Sequence, residues 1–197
     1  MAKGRGSDEG FREIFKREMG FSHPRSISRR ISASEFQGIV KKLDVYGKLN
    51  GHEGCVNAVE FSSTGDILVS GSDDLQIMLW NLLNGSRTLT YPSGHCENVF
   101  QTKFIPFTDD RTIITSGADG QVRLGQILEN GKVETKRLGR HRGRVYKLAV
   151  LPGDPNVFYS CGEDGFVQHV VLSHFLYGIL ISQSQVLNLS LFLHRTV

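Results

Sequence analysis

The sequence predicts an all-β fold assembled from about three copies of one four-stranded antiparallel unit. The first observation is the stretch Gly51 to Trp80, GHEGCVNAVEFSSTGDILVSGSDDLQIMLW. Short apolar runs up to Phe61, from Ile67 to Val69 and from Ile77 to Trp80 are separated by Ser63-Thr64-Gly65-Asp66 and Ser72-Asp73-Asp74, the pattern of an antiparallel meander. The second observation is recurrence. Gly94-His95 and Arg140-His141 open further copies, so successive histidines stand 43 and 46 residues apart. The third is the aspartate of the second turn, which returns as Asp74, Asp119 and Asp164 at a step of 45. A fixed period of about 40–45 residues marks a stacked repeat array.

Each copy can be justified in order. The first runs from His52 to about Tyr91, with a fourth strand at Arg87 to Tyr91 after the Asn84-Gly85 turn. The second runs from His95 to about Leu138, with strands near Val99–Phe104, Thr112–Thr115, Val122–Leu128 and Val133–Leu138. The third starts at His141 and continues through Val145–Val150, Val157–Ser160 and Phe166–Val171. His52, Ser72, Asp74 and Trp80 stand at the spacing of the structural tetrad of one WD-repeat propeller blade. A buried histidine donating to an aspartate, extended by Ser and Trp, pins the turns of a blade, because each buried polar group requires a partner. The later copies keep His95 with Asp119 and His141 with Asp164. Ala118 and Gly125 in the second, and Gly162 and Val170 in the third, stand in the Ser and Trp places. Blade one is therefore expected to be the best pinned. A His/Asp/Ser catalytic set is the competing reading, and its repetition in every copy argues for structure instead.

The expected fold is a partial WD-repeat β-propeller, about three blades in an open arc, with a short N-terminal helical segment. Three divisions follow. Residues 1–44 hold a helix and a basic linker, 45–171 the three blades, and 172–197 an apolar tail foreign to the repeat. Ser7 to Gly20 reads as a helix with Phe11, Ile14, Phe15 and Met19 on one face. That face either packs on its own domain or docks in a partner's groove. Arg29-Arg30-Ile31-Ser32 has the pattern of a basophilic kinase site, with Ser32 as acceptor. Glu35 to Lys42 reads as a second short helix and Val45 to Leu49 as a strand. In the tail, Val186 to Leu193 alternates with Asn188 and Ser190 and can replace the missing outer strand of blade three.

Composition bounds the function. The chain has 197 residues, 39% hydrophobic and 22% charged, with a net charge of +3. Cys55, Cys96 and Cys161 form an odd set, and MAKGRGSDEG has no apolar core of a signal peptide, which fits a reducing compartment of the nucleus or cytoplasm. Lys132 to Lys147 holds seven Lys/Arg. Tyr146 is its only aromatic, so a blade edge is favoured over a nucleic-acid surface. Polar residues from Ser182 to Gln185 interrupt the tail's apolar run, which argues against a membrane span. There is no Gly-rich phosphate loop and no Cys/His set at metal spacing. The sequence therefore calls for no catalytic residue, metal, cofactor or small-molecule ligand, and for protein partners.

The stretches GFSHPRSISRRISASE, YGKLNGHEGCVNAVEFSSTGDILVSGSDD, YPSGHCENVFQTKFIPFTDDRT, DGQVRLGQI and YSCGEDGFVQH carry a closer resemblance. Over about Met19 to Val170 the chain resembles WD-repeat substrate receptors of cullin-RING ubiquitin ligases, plant members of the subgroup numbered eighth among the adaptor-associated factors. The resemblance implies a seven-bladed propeller that binds the damaged-DNA-binding adaptor and presents a target for ubiquitylation. In such receptors a Trp-Asp-x-Arg pattern closing a blade's third strand contacts the adaptor. Here the matching positions read Trp80-Asn81-Leu82-Leu83, Gly125-Gln126-Ile127-Leu128 and Val170-Val171-Leu172-Ser173. The tail resembles translation past a splice junction near Val170 or Val171. The two functional expectations are thus a receptor-like interaction scaffold and a truncated isoform without independent activity.

Overall fold

In the computed structural model, residues 44, 45, 47–151 and 153–172 are described in full and 182–188 by their backbone. The chain divides into two compact units, Met1–Lys48 and Leu49–Val197. The expected helix with Phe11, Ile14, Phe15 and Met19, the second helix and Ser32 lie outside the described residues. The strand expected over Val45–Leu49 is not formed, since Val45 and residues 47–49 carry no strand pairing.

Three four-stranded antiparallel sheets make up the second unit. Blade one contains β1 (Val56–Phe61), β2 (Ile67–Ser72), β3 (Gln76–Asn81) and β4 (Ser86–Pro92). Blade two contains β5 (Val99–Phe104), β6 (Thr112–Gly117), β7 (Gln121–Ile127) and β8 (Val133–Arg140). Blade three contains β9 (Val145–Val150), β10 (Val157–Gly162), β11 (Phe166–Leu172) and β12 (Ser182–Asn188). No helix is present among the described residues. Each sheet is a meander, and its turns use residues suited to left-handed backbone. Gly65, Gly85 and Gly131 close turns at φ of 81°, 64° and 78°. β12 pairs along the whole of β11, from Phe166 opposite Asn188 to Leu172 opposite Ser182. The tail thus supplies the outer strand of blade three, starting four residues ahead of the alternating run that begins at Val186.

Burial follows from strand alternation. Consecutive strand residues point to opposite faces, and blade two is covered on both. Ile113 packs toward blade one with Val69, Ile77, Leu79, Tyr91, Val99 and Phe104. Its neighbour Ile114 packs toward blade three with Val122, Leu124, Leu148, Phe158 and Val170. Every residue of β6 is consequently buried. Blade one's other face carries Val59 and Phe61, exposed at 61% and 63%, opposite Ser70 and Leu68 of β2. The sheets form an open arc.

Side chains of the inner strands tie one blade to the next. Glu60 accepts hydrogen bonds from the Lys103 ammonium and, at 3.0 Å, from the backbone amide of Phe104. Gln101 accepts at 2.7 Å from the backbone amide of Leu148. Each inner strand also carries a bulge near its start. The pairing skips Asn57 between Val56 and Ala58, and Phe100 between Val99 and Gln101. It skips Tyr146 between Val145 and Lys147.

Candidate functional site

The repeated polar clasp is built where a histidine loop meets the second turn of its own blade. In blade one, His52 Nδ1 donates to Asp74 at 2.8 Å and Nε2 lies 2.7 Å from Ser70 Oγ. Trp80 Nε1 donates to the same hydroxyl at 2.9 Å. In blade two, His95 bridges Asp119 and Thr115, both at 2.9 Å. In blade three, His141 bridges Asp164 and Ser160, again both at 2.9 Å. The aspartates finish their duty on main chain. Asp74 accepts from the amides of Glu53 and Gln76, Asp119 from Cys96 and Gln121, and Asp164 from Arg142 and Phe166.

These bonds correct one expected member. The hydroxyl of blade one's tetrad is Ser70, not Ser72. Ser72 lies past the last β2–β3 partner pair, Gly71 with Ile77, and its Oγ accepts from the Asp74 amide at 3.3 Å. The true hydroxyl stands four residues before the aspartate in every blade: Ser70, Thr115 and Ser160. Ala118 and Gly162 therefore do not mark lost hydroxyls. In blades two and three the position two before the aspartate is a glycine that clears the imidazole, whereas blade one holds Ser72 there. A Cβ on Gly162 would lie 2.7 Å from His141 Nδ1, and one on Gly117 would lie 2.8 Å from His95 Nδ1. Blade one does hold the fullest chain, because Trp80 extends only its clasp. The Trp place in blade two is Gly125, where a Cβ would come within 2.6 Å of the Tyr91 hydroxyl reaching in from blade one.

Tyr91 is buried and its hydroxyl has no hydrogen-bond partner, so burial pushes its pKa up. Tyr91→Phe removes that uncompensated group while keeping the ring. Its urea midpoint is expected to rise, by about 1 kcal/mol of stability. A midpoint below the parent's would show that the hydroxyl is satisfied.

The clasp fixes a pH dependence. Burial alone would raise the Asp74 carboxyl. Hydrogen bonds from the Gln76 amide, His52 and the Glu53 amide outweigh it and hold Asp74 below its ordinary value. Asp119 is held down in the same way by the Cys96 and Gln121 amides and His95, and Asp164 by His141 and the Arg142 and Phe166 amides. His95 is lowered by burial, which exceeds the pull of Asp119 toward the charged form. In all four groups the unfolded chain binds the proton more readily, so stability rises with pH. Acidification should weaken the fold first below about 6.5, where unfolded histidine titrates, and again below about 3.9, where unfolded aspartate does. Urea midpoints measured from neutral pH downward should show both falls; a flat profile between pH about 7 and about 5 would contradict the His95 assignment.

The clasp hydroxyls of Ser70, Thr115 and Ser160 are all buried, and the same set recurs in each blade, which fits a structural role. No group of three or more His, Cys, Asp or Glu is placed to hold a metal among the described residues. Nor is any helix there long and apolar enough to cross a membrane. The arrangement joins a loop, a turn and two strands into one rigid corner, and it leaves the turns at both ends of the blades for recognition.

Comparisons with known proteins agree with this geometry. Residues 43–81 match the family "WD domain, G-beta repeat". The chain is 33% identical over 157 residues to "WD and tetratricopeptide repeats protein 1" of Homo sapiens, covering 80% of this chain and 23% of that protein. It is 40% identical over 135 residues to "Protein ALTERED SEED GERMINATION 2" of Arabidopsis thaliana, covering 64% and 18%. It is 33% identical over 158 residues to "DDB1- and CUL4-associated factor 6" of Homo sapiens, covering 79% and 18%. The chain thus spans less than a quarter of the length of these relatives. The crystal structure of the RRP9 WD40 repeats superposes with a TM-score of 0.57 at 18% identity, over 68% of this chain and 40% of that one, which shows the fold. Three clasped sheets, the repeat match and these relatives make the described part of the chain a WD40-repeat domain, an open arc of propeller blades with homologues that include DDB1- and CUL4-associated factor 6.

Proposed function

We propose that the chain is a protein-interaction scaffold of the substrate-receptor kind, holding a cullin-RING ligase adaptor and a target protein. The observation that carries this reading is the similarity to DDB1- and CUL4-associated factor 6 over 158 residues, 79% of the chain. The rigid clasped corners support it, since a scaffold needs fixed sheets and free turns. Such a role places the chain in the nucleus, the cytoplasm or both.

The resemblance puts adaptor contact at the ends of the third strands, away from the clasps. Asn81 and Leu83 stand there in blade one and Gln126 and Leu128 in blade two, in place of Asp and Arg. An apolar contact takes over in this reading. Leu83 and Phe107 project from turns at that end, exposed at 81% and 77%, and large exposed apolar side chains are typical anchors of an interface.

Affinity recovery of the tagged chain from cells tests the proposal. It should retain the DDB1 and CUL4 proteins for which the relatives are named, and the double variant Leu83→Asp, Phe107→Asp should lose them. Parent chain that recovers neither protein refutes the receptor reading.

A further inference from the structure

The bulges at the starts of the inner strands re-aim Asn57, Phe100 and Tyr146, as bulges do when they turn a side chain away from the pleat. Asn57 is occupied, since its amide donates to Asp73 and to the Val99 carbonyl. Phe100 and Tyr146 behave differently. Their rings stack with centroids 5.4 Å apart and planes within 15°. Neither belongs to the apolar clusters between the blades, and Tyr146 is 43% exposed. A stacked aromatic pair standing partly in water at the mouth of a rigid seam is a preformed contact surface.

Its surroundings are positively charged. At the same end of blades two and three, a cavity of about 420 Å³ is lined by Glu97, Ala118, Arg140, Arg142 and Gly143, among others. Arg144 lies beside the Tyr146 hydroxyl and the carboxylates of Glu163 and Glu97. Arg140, Arg142, Arg144 and Lys147 are exposed within eight residues, against Glu97, Glu163 and Asp119, the last of which is engaged by His95. We propose that the clasp end of the seam between blades two and three binds an acidic peptide segment of a partner protein. An aromatic or aliphatic side chain of the peptide lies on the free face of Tyr146, and its carboxylates meet Arg142 and Arg144.

A nucleic acid fits less well. The arginines are interleaved with Glu97 and Glu163, which break any continuous track for phosphates. The two rings cover each other, so they offer bases one platform and not a series. An acidic peptide meets both conditions with point contacts.

The inference rests on the receptor reading only in calling the peptide a target. Binding to the isolated chain needs no adaptor, so either proposal can fail alone. The test is fluorescence polarisation of the full chain with a fluorescein-labelled peptide of alternating Glu and Phe. The double variant Arg142→Glu, Arg144→Glu should weaken binding at least about tenfold, and Tyr146→Ala about fivefold. Tyr146→Phe should keep the parent affinity. Lys132→Glu reverses one charge, where the arginine variant reverses two, in the turn at the opposite end and should leave affinity within about twofold. All these side chains are exposed, and unchanged urea midpoints would confirm intact folds. Three results would overturn the proposal: no binding by the parent, equal losses in Lys132→Glu and the arginine variant, or tighter binding of an oligothymidylate than of the peptide.

Discussion

His95→Ala is expected to cost about 3 kcal/mol and to unfold all three blades together. The imidazole is fully buried and bonded at both nitrogens. Its loss strands the buried Thr115 hydroxyl, opens a cavity and releases the loop that Asp119 holds. The position of the blade sets the extent. Blade two contributes to both apolar seams, and in a repeat array each unit is stabilised by its neighbours. Trp80, the only tryptophan, reports on blade one. Its fluorescence and the far-ultraviolet circular dichroism should lose their folded signals in one coincident urea transition. A transition that leaves Trp80 buried after most of the sheet signal has gone would sink this account.

Phe158→Ala should cost about 3–5 kcal/mol but act on one side. The ring is fully buried in the seam between blades two and three, against residues such as Leu148, Val170 and Leu124. Blade one does not contribute to that seam. The dichroism should therefore fall at lower urea than the Trp80 signal, the two probes separating as blade three opens first. Coincident loss of both would mean that the arc melts as one unit and that nearest-neighbour coupling is stronger than two separate seams suggest.

Most of the fold could be read from residues because local and long-range signals agree in the inner strands. Val99–Phe104 and Val145–Val150 were expected and form with those bounds, since a histidine loop fixes one end and a turn the other. Agreement weakens where both faces are buried. β6 runs on through Ser116 to Gly117, and two-sided burial removes the alternation that would have extended the expected Thr112–Thr115. The clasp was legible in its histidines and aspartates, whose spacing is fixed by the turn. It differs from expectation at Ser72 because two serines lie on one face of β2, and only register shows that Ser70 meets the imidazole. Phe100 and Tyr146 escaped because a bulge is a fact of pairing. The available signal was their equivalent place, five residues after His95 and after His141. β12 starts ahead of the expected alternating run because its first Ser and Gln residues carry no apolar pattern and its partner strand β11 sets its start.

The rungs from Glu60 to the Phe104 amide and from Gln101 to the Leu148 amide have a geometric consequence. Both run from a side-chain oxygen to main chain, so the reach of two methylenes helps fix the gap and angle between neighbouring sheets. Trimming Glu60 to aspartate would shorten that reach by one carbon and tilt the first sheet toward the second, making side-chain length a dial for the curvature of the assembly.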